Sequence, residues 1–273
     1  MSAQTRTSLA VALMGASGRM GREVLALLPG NAGFTLSGAG CSPEGGLLGQ
    51  PVSLLQKGLP DVYFEGDPAK VLSGASVAID FSLPSATAGH LDACRERGVP
   101  LLLCATGHDA SQLEAIRELS KTVPVLLAAN TSLGVTLLNR LVEIAAATLG
   151  EQFDAEISEI HHRNKRDLPS GTALKLGEAV ARGRKAELAE LAENRIPGTS
   201  QLRSPGSIGF SAVRAGDVVG EHTVMFASDG ERLELVHKVS KRSTFARGAL
   251  KAAQWLANQP PGLYEMSDVL GLN

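Results

Sequence analysis

Leu9-Ala10-Val11-Ala12-Leu13-Met14-Gly15-Ala16-Ser17-Gly18-Arg19-Met20-Gly21 decides the fold. Six apolar residues without alternation predict a strand covered on both faces. The G-x-x-G-x-x-G spacing predicts a tight turn, and the pattern from Arg19 onward predicts a helix. Strand, glycine turn and helix in that order resemble the first βα unit of a dinucleotide-binding domain. Glycine there lets the backbone turn sharply and approach a pyrophosphate, which rests on the helix N-terminus. Taken alone, the spacing also fits a glycine-rich turn that holds nothing.

Outward from this unit the pattern repeats. Uniformly apolar runs at 34–39, 77–81, 101–105 and 123–128 predict further buried strands. Helical patterns lie near 19–28, 85–97 and 111–121, with a loop and a short connecting element over 41–60. Strands alternating with helices predict a parallel sheet with crossover helices. Ligands of such sheets gather at the carboxyl ends of the strands. Asp80-Phe81-Ser82, Ala105-Thr106-Gly107 and Ala129-Asn130-Thr131 occupy those ends, although each alone also fits a plain polar loop.

After Asn130 the character changes. A helix is predicted over 135–149, a strand over 153–160 and a second helix over 172–182. Three segments with an antiparallel look follow at 208–214, 218–227 and 232–239, with turn residues at Ala215-Gly216-Asp217 and Ser228-Asp229-Gly230. A helical pattern at 244–257 and a tail rich in Pro and Gly close the chain. The fold class expected from the pattern is therefore α/β in the first half, followed by a second, different α+β domain.

Between the strand ending at 160 and the helix opening at 172 stands His161-His162-Arg163-Asn164-Lys165-Arg166-Asp167-Leu168-Pro169-Ser170-Gly171-Thr172. Adjacent histidines on a strand point to opposite sides and make poor joint ligands for one metal, and no other Cys/His grouping completes a zinc set. Fixed cations beside imidazoles that titrate near neutrality suit an anionic substrate that must also receive a proton. Ser170-Gly171-Thr172 then opens a helix whose free N–H groups favour a carboxylate. A solvated basic loop capped by Ser170 is the plain alternative.

Composition narrows the classes. With 273 residues, 26 Lys plus Arg against 28 Asp plus Glu and a net charge of −2, the chain has no overall basic footprint for nucleic acid. Aromatic residues at 4% argue against base-stacking platforms. No apolar stretch approaches a membrane span, and the run 9–14 is too short for a secretory core. Cys41, Cys94 and Cys104 form no C-x-x-C pair, which points to a reduced, cytoplasmic setting.

The stretch from Glu156-Ile157-Ser158-Glu159-Ile160 through Ser170-Gly171-Thr172-Ala173 resembles the signature of the 4-hydroxy-tetrahydrodipicolinate reductase (dihydrodipicolinate reductase) family. The likeness extends to the 15–21 turn, Ala128-Ala129-Asn130, Gly209-Phe210, Val213-Arg214-Ala215-Gly216-Asp217, Gly220-Glu221-His222-Thr223, Phe245-Ala246 and Trp255-Leu256. It implies a Rossmann-like N-terminal dinucleotide-binding domain over 1–130, completed by 241–273, and a substrate-binding and tetramerisation domain over 131–240. It implies a nicotinamide-dependent reductase of the diaminopimelate route to lysine, which reduces a small cyclic dicarboxylate and forms a homotetramer through the second-domain sheets. It implies His161 as proton donor, with Lys165 assisting and binding substrate. His162, Gly171 and Thr172 would contact substrate. Gly15, Ala16, Ser17, Gly18, Arg19 and Met20 would cradle the pyrophosphate, and Cys104, Ala105, Thr106, Ala128, Ala129, Asn130 and Thr131 would border the nicotinamide. No metal is implied. The family often carries an acid with a neighbouring Arg after the second strand, where this chain has Gly40-Cys41-Ser42-Pro43. Use of both NADH and NADPH follows as the expectation.

Overall fold

Residues 8–193, 200 and 202–272 are described by the computed structural model. The chain divides into two compact units, one of residues 8–132 and 242–271, the other of 133–241. In the first unit, β1 (Leu9–Met14) leads through the glycine turn into α1 (Arg19–Leu27) and β2 (Phe34–Gly40). Two short 3-10 turns, Pro43–Gly45 and Val52–Leu54, break the following loop. Then come β3 (Phe64–Glu65), α2 (Pro68–Val71), β4 (Val77–Asp80), α3 (Thr87–Arg97), β5 (Leu101–Leu103), α4 (Ala110–Ser120) and β6 (Pro124–Leu127).

The second unit contains α5 (Leu133–Leu149), β7 (Asp154–His161), α6 (Gly171–Gly183), α7 (Leu188–Leu191), β8 (Ala192–Glu193), β9 (Ile208–Arg214), β10 (Gly220–Ser228) and β11 (Glu231–Val239). The chain then rejoins the first unit as α8 (Ser243–Leu256), β12 (Gly262–Tyr264) and α9 (Met266–Leu270). None of the described helices is long and apolar enough to cross a membrane.

The first sheet has the order β12-β6-β5-β4-β1-β2-β3, and every neighbouring pair is parallel. This is the Rossmann-like arrangement expected, with the order reversing at β1. Strand β4 is buried along its whole length, as a strand covered on both faces must be. Leu91, Cys94, Ile116 and Leu119 from α3 and α4 cover one face, packing on Ala12, Ala78, Leu101 and Val125. Helix α8 packs against α1 and strands β4 to β6. The tail contributes β12 beside β6, a strand that three residues of weak pattern do not announce.

The second sheet has the order β11-β10-β7-β9-β8 and departs from the sequence reading in two respects, the added short strand β8 and the pairing of β9. Strands β10 and β11 form the expected antiparallel hairpin, but β9 runs parallel to β7 and does not touch β10. The cause is the crossover through α6, which returns the chain to the end from which β7 began. Ala215-Gly216-Asp217 is therefore no hairpin turn. It folds over the end of β7, with Ala215 N–H donating to the His161 carbonyl at 2.9 Å and Arg163 N–H to the Gly216 carbonyl at 3.2 Å.

Candidate active site

The parallel registers bring the predicted loops of the first unit to one edge. Met14 lies opposite Asp80, Asp80 opposite Leu103, and Leu103 opposite Leu127, so the residues after β1, β4, β5 and β6 leave the sheet at the same level. Gly15 adopts φ +70°, and a Cβ there would stand 2.8 Å from the Phe81 carbonyl carbon and oxygen. A Cβ on Gly21 would stand 2.3 Å from the Gly15 oxygen, so α1 and its turn can pack this closely only without one. Gly18 caps α1 with no side-chain bond and no acid in the first turn, which leaves the helix N-terminus open to an anion. These features fit a dinucleotide pyrophosphate.

Around this turn, Ala16 is buried with its N–H on the Gly40 carbonyl at 2.8 Å, the Ser17 carbonyl accepts Arg22 Nε at 2.9 Å, Arg19 is exposed and Met20 half-buried. Cys104 and Ala105 are buried, Thr106 is exposed, and burial pushes the Cys104 thiol well up, aided by Asp80. Ala128 is buried and Ala129 exposed, while Asn130 accepts Ser132 N–H at 2.9 Å. Thr131 is buried and its hydroxyl donates to the Phe245 carbonyl at 2.7 Å, tying the end of this loop to α8. Beside the end of β2, strand β3 places Glu65, whose carbonyl accepts Cys41 N–H at 2.9 Å and whose carboxylate lies 4.0 Å from Lys70. The sequence reading did not find this acid.

In the second unit, the period of β7 gathers a different group. Ala155, Ile157, Glu159 and His161 share its buried face, so a carboxylate and an imidazole take positions where the strand calls for apolar residues. His161 is the last residue of β7 and buried, one residue beyond the predicted strand end at 160, because the 215–217 loop extends the strand by one bonded position. His222 of β10 stands opposite Glu159 in register, on the same face.

Glu159 Oε2 lies 2.8 Å from His161 Nδ1 and 3.8 Å from His222 Nε2. Its other oxygen accepts the Ser170 backbone N–H at 2.8 Å and Arg214 Nη2 at 3.0 Å. The contact with His161 is close, but its angles fall short of a well-formed hydrogen bond. Burial alone would raise the Glu159 pKa, but His161, Ser170 and Arg214 together hold it well below the carboxylate range. Ser170 Oγ caps α6 by accepting Ala173 N–H at 3.2 Å and lies 3.1 Å from His222 Nε2. The two imidazoles meet edge to face with centroids 5.0 Å apart. Burial, then the neighbouring His161, pushes His222 down to about 4.

Lys165 Nζ donates to the Asp167 carboxylate at 2.9 Å, and His162 and Thr172 are half-buried while Gly171 is exposed. Burial would raise the Asp167 pKa, but Lys165 and the Gly171 backbone N–H outweigh it and lower the value. Donor atoms of Glu159, His161 and His222 lie within 4.8 Å of one another, close enough to surround a cation. A carboxylate between two imidazoles, an arginine and a backbone amide accounts for that spacing without one. Glu159, Arg214 and His222 were missed by the sequence reading. The signal for Glu159 was its position two residues before His161, which puts both on one face; His222 is 61 residues on, and only strand pairing brings it here.

Models of the dihydrodipicolinate reductase N-terminus and C-terminus match residues 9–131 and 134–270. A 4-hydroxy-tetrahydrodipicolinate reductase of Thiobacillus denitrificans is 46% identical over 265 residues, spanning 97% of this chain and 99% of that one. Its counterpart in Halorhodospira halophila is also 46% identical, over 97% of this chain and 100% of its own. The fold is shared with the dipicolinate-bound dihydrodipicolinate reductase of Paenisporosarcina sp. TG-14, at a TM-score of 0.72 and 22% identity over 94% of this chain and 97% of that one. These matches over nearly the whole chain, with the Rossmann-like sheet, make it an NAD(P)H-dependent oxidoreductase. The chain belongs to the dihydrodipicolinate reductase family, whose members carry out a reduction in the diaminopimelate route to lysine.

Proposed function

We propose that the first unit holds NADH or NADPH and that the second binds 4-hydroxy-tetrahydrodipicolinate, which loses water and is reduced to tetrahydrodipicolinate. The reading rests above all on the buried Glu159–His161 contact beside the N-terminus of α6. A reduced nicotinamide, when bound, supplies the hydride for C4 of the ring. Gly15 to Met20 cradle the pyrophosphate, and Cys104 to Thr106 with Ala128 to Thr131 border the nicotinamide. His161 holds the proton destined for the neighbouring ring carbon, and Glu159 stabilises the charged imidazole. Lys165, Gly171, Thr172 and His162 bind the carboxylates, the first by charge and the next two through the N-terminus of α6. No metal enters this scheme.

The assembly proposed is a homotetramer formed through the second sheet. The face of that sheet away from α5 and α6 carries Ile160, Val213, Thr223, Met225 and Val236, with Val213 and Val236 about half-exposed in the single chain. A second copy would cover them. The setting proposed is the cytoplasm, with no membrane or nucleic-acid partner; the three cysteines are free and buried.

The test is oxidation of reduced nicotinamide followed at 340 nm, with freshly generated substrate and each cofactor in turn. Turnover is expected only with the hydroxylated ring present. Equal oxidation with pyruvate, oxaloacetate or aspartate semialdehyde alone would sink the reading and point to another amino- or hydroxy-acid dehydrogenase.

A further inference from the structure

One buried carboxylate–imidazole contact has no part in the scheme above. Asp80, the last residue of β4, is wholly buried, and His90 on α3 is nearly so. Their contact, Oδ2 to Nδ1, is 2.7 Å, and Asp80 Oδ1 accepts the Ser82 backbone N–H at 2.7 Å. Ser82 Oγ also comes within 3.4 Å of His90 Nδ1. Taking a carboxylate out of water is costly even when it is hydrogen-bonded, and well-packed apolar residues often replace such a buried polar pair without loss. Stability is therefore a poor reason for an acid at the end of Val77-Ala78-Ile79, and geometry is a better one.

What the pair fixes is the Phe81–Ser82 peptide. A Cβ on Gly15 would meet Phe81 C and O at 2.8 Å and Ser82 N at 2.9 Å, so this peptide is the wall against which the first glycine of the turn rests. Phe81 N–H donates back to the Met14 carbonyl at 3.1 Å, and Cys104 N–H donates to the Asp80 carbonyl at 2.8 Å. Asp80 and Phe81 between them thus tie together the ends of β1, β4 and β5, and His90 locks the Asp80 side chain from α3.

We propose that Asp80 and His90 are positioning residues for the cofactor: acting through Phe81–Ser82, they hold the Gly15 turn in the shape that receives the pyrophosphate. The proposal rests on the reading that this turn binds a dinucleotide. Because NADH and NADPH share the pyrophosphate, the pair serves both alike.

The experiment compares the wild type with His90→Leu, His90→Gln and Asp80→Asn. It measures the Kd of NADH and of NADPH by nicotinamide fluorescence without substrate, kcat and dicarboxylate KM at saturating cofactor, and the thermal melt. His90→Leu is expected to weaken both cofactors by about tenfold, with kcat and dicarboxylate KM within about twofold. His90→Gln, whose amide still donates to Asp80, should recover most of the affinity. A folded His90→Leu with wild-type Kd overturns the proposal, as does a His90→Gln no better than His90→Leu. If His90→Leu does not fold, the near-isosteric His90→Gln and Asp80→Asn decide: weaker binding of both cofactors by Asp80→Asn at unchanged kcat supports the proposal, and wild-type Kd in both variants overturns it. A wild type that binds neither cofactor defeats the dinucleotide reading and this proposal together, whereas tight wild-type binding with indifferent variants defeats this proposal alone.

Discussion

His222 makes the second unit sensitive to mild acid, and the size of the effect follows from its surroundings. The ring is buried against Glu159, Ser170 and His161, and its pKa is pushed down from 6.5 to about 4. In the unfolded chain the imidazole takes up a proton near pH 6.5; in the folded chain it resists until about pH 4. The unfolded state therefore binds more protons between these values, and stability present at neutral pH drains away as pH falls through them. The full difference corresponds to about 3 kcal/mol, most of it lost by pH 4.5. His237, which burial also depresses, acts in the same direction. Glu159 and Asp80, whose pKa values are lowered, give stability that starts to drain as pH falls through the ordinary carboxylate range, so the Glu159 part has begun by pH 4.5 and is shared by wild type and variant. The assay is urea unfolding of wild type and His222→Gln at pH 7.5 and 4.5, at one protein concentration. The variant loses the Ser170 contact as it is now made and should be weaker by about 1 kcal/mol at pH 7.5. Its further loss on going to pH 4.5 should be about 2–3 kcal/mol smaller than that of the wild type. Equal losses in the two proteins would refute the argument that this ring is kept neutral by burial.

On the proposed chemistry, His161→Gln should lower kcat by about 10²–10⁴-fold, the usual worth of a positioned general acid; near-normal turnover would remove His161 from that role. The same substitution should also lower the thermal midpoint, since His161 is buried against Glu159. Gly21→Ala puts a methyl 2.3 Å from the Gly15 carbonyl oxygen, a backbone atom that cannot swing aside. It should cost at least the ~1–3 kcal/mol of an overpacked core and abolish cofactor binding, as read by melting and by nicotinamide fluorescence. Ser42 accepts Glu44 N–H at 3.3 Å just past β2 and carries no charge, while Glu65 and Lys70 stand nearby as an opposed pair. NADH and NADPH are expected to give kcat/KM values within about tenfold, or ~1.4 kcal/mol. Ser42→Glu should penalise NADPH, and an equal effect on both cofactors would take this loop away from the ribose.

Local pattern carried the reading where contacts are local or strands are uniformly buried. The apolar run before Gly15 could be little else than a central parallel strand, and the glycine spacing needed only the turn itself. The pairing of Ile208–Arg214 went wrong because antiparallel and parallel strands look alike when half-exposed. Only the direction imposed by α6 separates them. At the site, the basic loop and the α6 cap were visible as residue types, yet the group that organises them was not. Glu159 looks like one more charged residue in Glu156-Ile157-Ser158-Glu159 until the pleat turns it inward, and Arg214 and His222 reach it through two strand pairings that no short motif encodes.

Lys165 does not stand as a bare cation: the Asp167 carboxylate holds it at 2.9 Å from two residues along the same chain. On the role proposed for Lys165, uptake of a dicarboxylate is then an exchange of one carboxylate for another. Asp167 is a tethered rival, present at an effective concentration in the millimolar range that never dilutes. Affinity for the substrate is set by how far the incoming group outcompetes this resident one, and the Lys165–Asp167 pair offers an approaching anion no net charge at long range. Added salt, which weakens ordinary attraction between a cation and a free anion, should therefore change substrate affinity little.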